Sequence, residues 1–207
     1  MAIRRVASMT LVLWWVTVGS VFAMEPIETI KGPLEESLAL LNDPRYKDPT
    51  LKDEQRDKIW TLIESVFDFE EVSKRALARN WRRLNPGQQK EFIELFTQLL
   101  GNTYLDQVQM AYKDETVSFD SQEIHDSKPL ARVKARIISA KGDIPVDYSL
   151  KNIDGSWRVY DVRVEGISLI KNYRTQFDEI LMKESPEALI DRLREKVDEQ
   201  KTELSKG

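Results

Sequence analysis

Tyr160-Asp161-Val162-Arg163-Val164-Glu165-Gly166 sets an apolar residue against a charged one three times and then breaks at glycine. A period of two puts Tyr160, Val162 and Val164 on one face of a strand and Asp161, Arg163 and Glu165 on the other. The same period recurs upstream. Ile144, Val146, Tyr148 and Leu150 alternate with Asp147 and Ser149, and Val133, Ala135 and Ile137 alternate with Arg132, Lys134 and Arg136. Val117 and Phe119 alternate with Thr116, Ser118 and Asp120. Lys141-Gly142-Asp143 and Asp154-Gly155 supply hairpin turns. The expectation is a twisted antiparallel sheet of about four strands over 114–166, apolar on one face and wet on the other.

Such a sheet needs a cover, and its flanks are helical. Leu34 to Leu41 reads as a short helix ended by Asn42-Asp43-Pro44. Ile59, Leu62, Ile63 and Val66 recur at helical spacing. Asp68 is an N-cap with Glu71 three residues on, and Val72, Ala76 and Leu77 face inward from that helix. Asn85 and Pro86 open the longest helix, whose apolar face runs Phe92, Leu95, Phe96, Leu99, Leu100, Tyr104 and Val108 as far as about Tyr112. After Gly166 a helix runs from Ser168 to about Lys183, and Ser185-Pro186 starts a last one through Leu189, Ile190, Leu193 and Val197. The Lys/Glu-rich tail from Glu199 is expected to fray. The fold class is α+β: a cystatin-like or NTF2-like sheet gripped by helices, with a mainly helical half at 24–113 and C-terminal helices over 167–204.

Arg4 and Arg5 precede the apolar run Val6–Val18, and Val21-Phe22-Ala23 suits a cleavage site. This is the layout of a secretory signal peptide over 1–23, and the run is shorter than the ~20 residues that span a bilayer. The product, 24–207, is expected to be an exported soluble domain. Removing the leader takes two arginines and no acid, so the mature chain is more acidic than the −4 of the full sequence. That balance argues against a nucleic-acid binder. With no Cys in the 207 residues there is no disulfide framework, thiolate nucleophile or Cys-ligated metal. One histidine excludes a multi-histidine cage.

Catalytic chemistry finds no support. His125 lies in the polar connection Glu123-Ile124-His125-Asp126, and no G-x-S-x-G accompanies it. The pairs Glu35-Glu36 and Glu70-Glu71 sit at helix starts, where the macrodipole favours acids. No phosphate loop or dinucleotide fingerprint occurs, so neither an enzyme nor a cofactor is expected. A basic and aromatic run, Lys74, Arg75, Arg79, Trp81, Arg82 and Arg83, reads first as charge at a helix C-terminus on a solvated face. Its functional alternative is a docking patch through Arg79, Arg82 and Arg83. The aromatic set Phe92, Phe96, Tyr104, Tyr148, Tyr160, Tyr173 and Phe177 is by pattern alone a core.

The segment Trp157-Arg158-Val159-Tyr160-Asp161-Val162-Arg163-Val164-Glu165-Gly166-Ile167-Ser168-Leu169-Ile170, followed by Asn172-Tyr173-Arg174-Thr175-Gln176-Phe177, closely resembles the MlaC family, also called toluene-tolerance auxiliary proteins. Upstream, Phe67-Asp68-Phe69, Leu77 to Trp81, Pro86 to Gln89 and the Phe92, Phe96, Leu99, Tyr104 series agree in order and spacing, so the resemblance spans about Ile59 to Lys183. One departure is Ala78, where members often carry glycine.

The resemblance implies a monomeric periplasmic carrier with helices enclosing a deep apolar pocket. It would shuttle diacyl phospholipid between an outer-membrane lipoprotein complex and an inner-membrane ABC transporter complex. Two chains of about fifteen carbons forfeit ~20 kcal/mol or more if exposed to water, so the pocket must be large and apolar. Strand parity and the helical faces place Phe92, Phe96, Leu99, Leu100, Tyr104, Val146, Tyr148, Tyr160, Val162, Val164, Ile167, Leu169, Ile170, Tyr173 and Phe177 around it, some of them as plain core. Leu100→Asp or Val164→Asp is then expected to lose lipid and still fold. A hopanoid carrier, and a lipid-free adaptor with a filled core, are the alternatives.

Overall fold

The alternating stretches fold into an antiparallel meander in the computed structural model, which describes residues 24–204. The leader expected at 1–23 lies outside the described residues. Strands β1 (Thr116–Ile124), β2 (Leu130–Ser139), β3 (Gly142–Ile153) and β4 (Ser156–Val164) lie side by side in chain order. A fifth strand, β5 (Ile167–Ser168), joins the edge. At two residues it is too short to show a period in the sequence. Glu165 (φ 51°) and Gly166 (φ 81°) reverse the chain so that Val164 pairs with Ile167 and Arg163 with Ser168.

On the wet face, Lys134 pairs with Glu123 and Arg136 with Asp120 and Asp143. Exposed pairs of this kind add little stability each. On the apolar face Ala131, Val133 and Ala135 stand opposite Leu150, Tyr148 and Val146, which stand opposite Val159, Val162 and Val164. That last series breaks strict alternation. Ser149 pairs with Asp161 but Leu150 pairs with Val159, leaving Tyr160 as the extra residue of a β-bulge. The bulge keeps Val159 on the same face as Val162 and Val164. It sends Tyr160 to the other side, against the helices, where the Arg75 guanidinium lies 3.7 Å from its ring centroid.

The helices are α1 (Pro26–Asn42), α2 (Lys52–Val66), α3 (Phe69–Leu77), α4 (Pro86–Ala111), α5 (Leu169–Leu181) and α6 (Pro186–Leu204). Asp68 caps α3 through the Glu71 N–H, and Asn85 and Gln88 close a reciprocal capping box on α4. The first helix starts at Pro26, ahead of the expected Leu34, because it runs through Pro33. A proline there costs one helical hydrogen bond, offset by packing of Ile30 into the sheet core. The last helix continues past Glu199 to Leu204 rather than fraying, with Gln200 donating to Thr103 Oγ1 at 2.9 Å.

Two cores result. One is helical: α3, α4, α5 and α6 bury Leu77, Phe92, Phe96, Phe177, Leu189 and Val197 among one another. The other lies between the apolar sheet face and the covering α1 and α2, with Ile30, Val66, Val133, Leu150, Trp157 and Val159 at its centre.

Between α3 and α4 the chain turns at Ala78, whose φ of 48° and ψ of −119° fall in a region that favours glycine. Ala78→Gly should therefore raise stability by about 1 kcal/mol, read as a higher urea midpoint at unchanged slope. An unchanged or lower midpoint would mean that the turn holds no strain.

Candidate functional site

The sheet-face core is not filled. Beyond Val159 the apolar face, α1, α2 and the C-terminal half of α4 splay apart around a cavity of about 570 Å³. Its walls come from four directions. Helix α1 offers Ile30, Pro33, Leu34 and Ser37 at helical spacing, and α2 offers Trp60, Leu62, Ile63 and Val66. Phe67, in the short link after α2, and Phe69, the first residue of α3, add rings that stack 5.6 Å apart, with Trp60 5.5 Å from Phe69. Helix α4 contributes Leu100, Gly101, Tyr104, Leu105 and Val108, while Tyr148, Val162, Val164, Ile167 and Leu169 form the sheet side and one lip.

Gly101 fits because α4 passes so close to Trp60 that a Cβ there would stand 3.0 Å from the indole. Among the described residues lining the cavity, Glu165 is the one charged side chain and Ser37 and Asn172 are the uncharged amide or hydroxyl groups besides the two phenols. Ser37 Oγ donates to the Pro33 carbonyl at 2.8 Å and so adds no free polarity. Burial pushes the Tyr148 phenol up to about 12, and it also raises Tyr104, so both rings are neutral at physiological pH. Tyr104, Val108, Val164 and Ile167 are the large apolar residues of the lining that reach solvent, and they mark the mouth.

One lip is held by Asp161. Its Oδ2 accepts from Ser168 Oγ at 2.7 Å and its Oδ1 from the Ile170 N–H at 3.2 Å, while Ser168 Oγ accepts from the Lys171 N–H. The carboxylate is buried and ties β4 to the start of α5. Asp161→Ala would leave a buried N–H and a hydroxyl unpaired, so it should cost about 2 kcal/mol. The expected readouts are a lower denaturation midpoint and faster amide exchange at residues 166–171; an unchanged midpoint would remove Asp161 as the fastener.

Seven of the pocket residues expected from sequence line this cavity: Leu100, Tyr104, Tyr148, Val162, Val164, Ile167 and Leu169. Phe92, Phe96, Leu99, Ile170 and Phe177 are instead buried in the helical core, and Tyr173 packs against it with its ring centroid 5.0 Å from that of Phe96. Val146 is buried on the apolar sheet face away from the wall, and Tyr160 lies on the opposite side of the bulge. The α1 and α2 walls are absent from the sequence placement. Their helical periodicity is visible at Ile59, Leu62, Ile63 and Val66, but periodicity does not say which helix faces the sheet.

The expected docking patch divides. Arg79 and Arg82 lie on the 3₁₀ segment Ala78–Arg83, with Arg79 exposed and its Nε 3.9 Å from Asp178. Arg83 is committed internally, donating to Asn80 Oδ1 and to the Leu181 carbonyl at 2.9 Å. His125 is exposed in the β1–β2 connection. Among the described residues no group of three or more His, Asp or Glu could hold a metal ion, and no helix is long and apolar enough to cross a membrane.

The sequence and the fold both have matches among known proteins. The family model described as MlaC protein matches residues 33–195, from α1 through most of α6. The chain belongs to the MlaC family. Its MlaC relatives include the toluene tolerance protein ttg2D of Pseudomonas putida, 27% identical over 170 residues that make up 79% of this chain and 76% of that one. The intermembrane phospholipid transport system binding protein MlaC of Haemophilus influenzae is 22% identical over 132 residues, 62% of this chain and 61% of that protein. The fold matches that of the phospholipid-binding protein from Ralstonia solanacearum, solved in complex with a phospholipid. The TM-score is 0.73 at 22% identity, over 86% of this chain and 99% of that one.

Proposed function

We propose that this MlaC-family chain is a periplasmic carrier of phospholipid. The observation that carries the reading is a cavity of about 570 Å³ whose walls are apolar almost throughout, open at a mouth ringed by Tyr104, Val108, Val164 and Ile167. Each methylene moved from water onto such a wall gains about 0.8 kcal/mol, so acyl chains are the natural filling. The polar head stays at the mouth, beside Glu165 and Asn172. The names of the relatives support this cargo, as does the bound phospholipid of the Ralstonia solanacearum protein. The lipid-contacting residues of this reading are the sequence-expected wall residues, together with Trp60, Ile63, Phe67 and Phe69.

On this reading residues 1–23 are removed on export. The mature chain then exchanges lipid between an outer-membrane lipoprotein complex and an inner-membrane ABC transporter complex, with Arg79 and Arg82 available to a partner. It performs no catalytic step and needs no cofactor. The test is to express the chain with its leader, purify it from the periplasm without detergent, and combine native mass spectrometry with lipid extraction. The expected result is a bound mass that resolves into phospholipid. A polycyclic lipid would keep the carrier and change its cargo. A monodisperse protein that is empty, and stays empty after mixing with labelled vesicles, would overturn the reading in favour of an adaptor.

A further inference from the structure

On the reverse side of the lip lies a second cleft, of about 430 Å³, with the opposite chemistry. Arg75 from α3, Arg163 from β4, and Lys171 and Arg174 from α5 line it around Tyr160, Asp161, Gly166 and Ser168. Four cations thus face one carboxylate in a chain whose net charge is −4. Asp161 spends both oxygens on Ser168 and Ile170, so it is a fixed floor rather than a partner for all four.

The cations are held apart by specific contacts. Arg75 Nε donates to Glu71 Oε1 at 2.8 Å, and its guanidinium sits 3.7 Å from the Tyr160 ring centroid. Arg174 Nε donates to the Arg75 carbonyl at 2.8 Å, which leaves its terminal amino groups without an acceptor among the described residues. Arg163 Nε is 3.8 Å from Asp161 Oδ2, too long for a hydrogen bond. Lys171 forms no ion pair among the described residues, and Glu71 is already shared between Arg75 and Lys151. The first N–H groups of α5 are occupied by Asp161 and Ser168, so the side-chain cations carry the site.

We propose that this cleft binds a phosphate group. Guanidinium and ammonium donors converging from three elements suit a tetrahedral oxyanion with several acceptor oxygens better than a single planar carboxylate. The corner 164–168 separates the cleft from the cavity: Val164 and Ile167 line the cavity, and Gly166 and Ser168 line the cleft. Phosphate in the cleft therefore sits behind the lip of the mouth. It can come from the headgroup of a lipid at a membrane surface or from soluble phosphate. The site stands apart from the carrier reading, since no cation of the cleft lines the cavity.

The test uses the mature chain at low ionic strength. Inorganic phosphate is titrated calorimetrically against an equal ionic strength of chloride, and vesicles of phosphatidylglycerol are compared with vesicles of phosphatidylcholine by co-sedimentation. Phosphate should bind above the chloride control, and Lys171→Glu should weaken it about fivefold or more, as expected for losing one charge-assisted contact. Adding Arg163→Glu should abolish it, with the co-purified lipid in the cavity unchanged by native mass spectrometry. Capture by phosphatidylglycerol vesicles that is lost in both variants identifies the lipid headgroup as the source; binding of inorganic phosphate without vesicle capture identifies soluble phosphate. Phosphate heats equal to chloride with no vesicle preference, or variants that bind like the parent, overturn the proposal. Far-ultraviolet circular dichroism and melting of each variant check the fold. Lys171, exposed and free of ion pairs among the described residues, supplies the variant least able to disturb it.

Discussion

Val162→Asp should strip the chain of co-purified lipid by more than about tenfold while leaving it folded. Val162 lines the cavity and stands opposite Tyr148 in the sheet, so an aspartate there faces the space that acyl chains would fill. In the empty protein, water in the cavity solvates the carboxylate, and the stability cost should stay within about 1–2 kcal/mol. In the loaded protein the charge would meet methylenes, and burying it unpaired costs far more than the roughly 1.4 kcal/mol that makes a tenfold change. The effect carries a sign in pH. An apolar surrounding raises a carboxyl pKa, so lowering pH neutralises the introduced carboxylate and should restore loading. Val162→Asn, which does not titrate, should show no such recovery. Full lipid occupancy in Val162→Asp at neutral pH would place the cargo elsewhere. Leu100→Asp is the poorer test, although the helical pattern recommends it. Leu100 is buried in the helical core as well as lining the cavity, so a charge there attacks the fold and the cargo together.

Phe96→Ala should cost about 4 kcal/mol of folding stability. The ring is fully buried and sits at the centre of an aromatic cluster, with centroids 5.5 Å from Phe92, 5.0 Å from Tyr173 and 5.2 Å from Phe177. Truncation removes its burial, its ring contacts and the packing around the hole. Domains of this size have about 5–15 kcal/mol in total, so mild denaturant should drive a large part of the population out of the native state. Urea unfolding followed by tryptophan fluorescence reads the change. A drop below about 1 kcal/mol would mean that Phe96 borders open space, which is where the sequence pattern places it. The two substitutions therefore separate wall from core by opposite signatures: lost lipid with a sound fold, and a weakened fold without a direct blow to the cavity.

The sheet was legible because its period is two and its wet face is polar or charged at nearly every second position. Asp68, Asn85-Pro86, Ser168 and Pro186 mark helix starts that the structure keeps. The site was only half legible, for three physical reasons. A bulge at Tyr160 reverses parity midway along β4, and nothing in an alternating sequence announces one extra residue. The long α4 serves both the helical core and the cavity, with Phe92 and Phe96 in the one and Tyr104 and Val108 at the mouth of the other, although one continuous apolar stripe joins them. The sequence pattern starts the first helix at Leu34, so the preceding turns of α1, with Ile30 and Pro33 of the wall, fall outside it. The Phe67-Asp68-Phe69 link carried part of the family resemblance, yet its place beside the cavity depends on a bridge from Phe67 to Val159 across a long stretch of chain.

The bulge at Tyr160 also divides the labour of selection along a single strand. Trp157, well before it, is buried in the sheet core and is judged by whether the protein folds, while Val159, next to it, serves both that core and the cavity wall. Residues after it, Val162 and Val164, border the cavity and are judged by what it holds. Substitutions after the bulge can reshape the cavity while the residues before it keep the sheet anchored. On the carrier reading, a lineage can thus drift from one acyl length or ring system to another through a handful of changes beyond position 160, without first having to re-evolve a stable sheet.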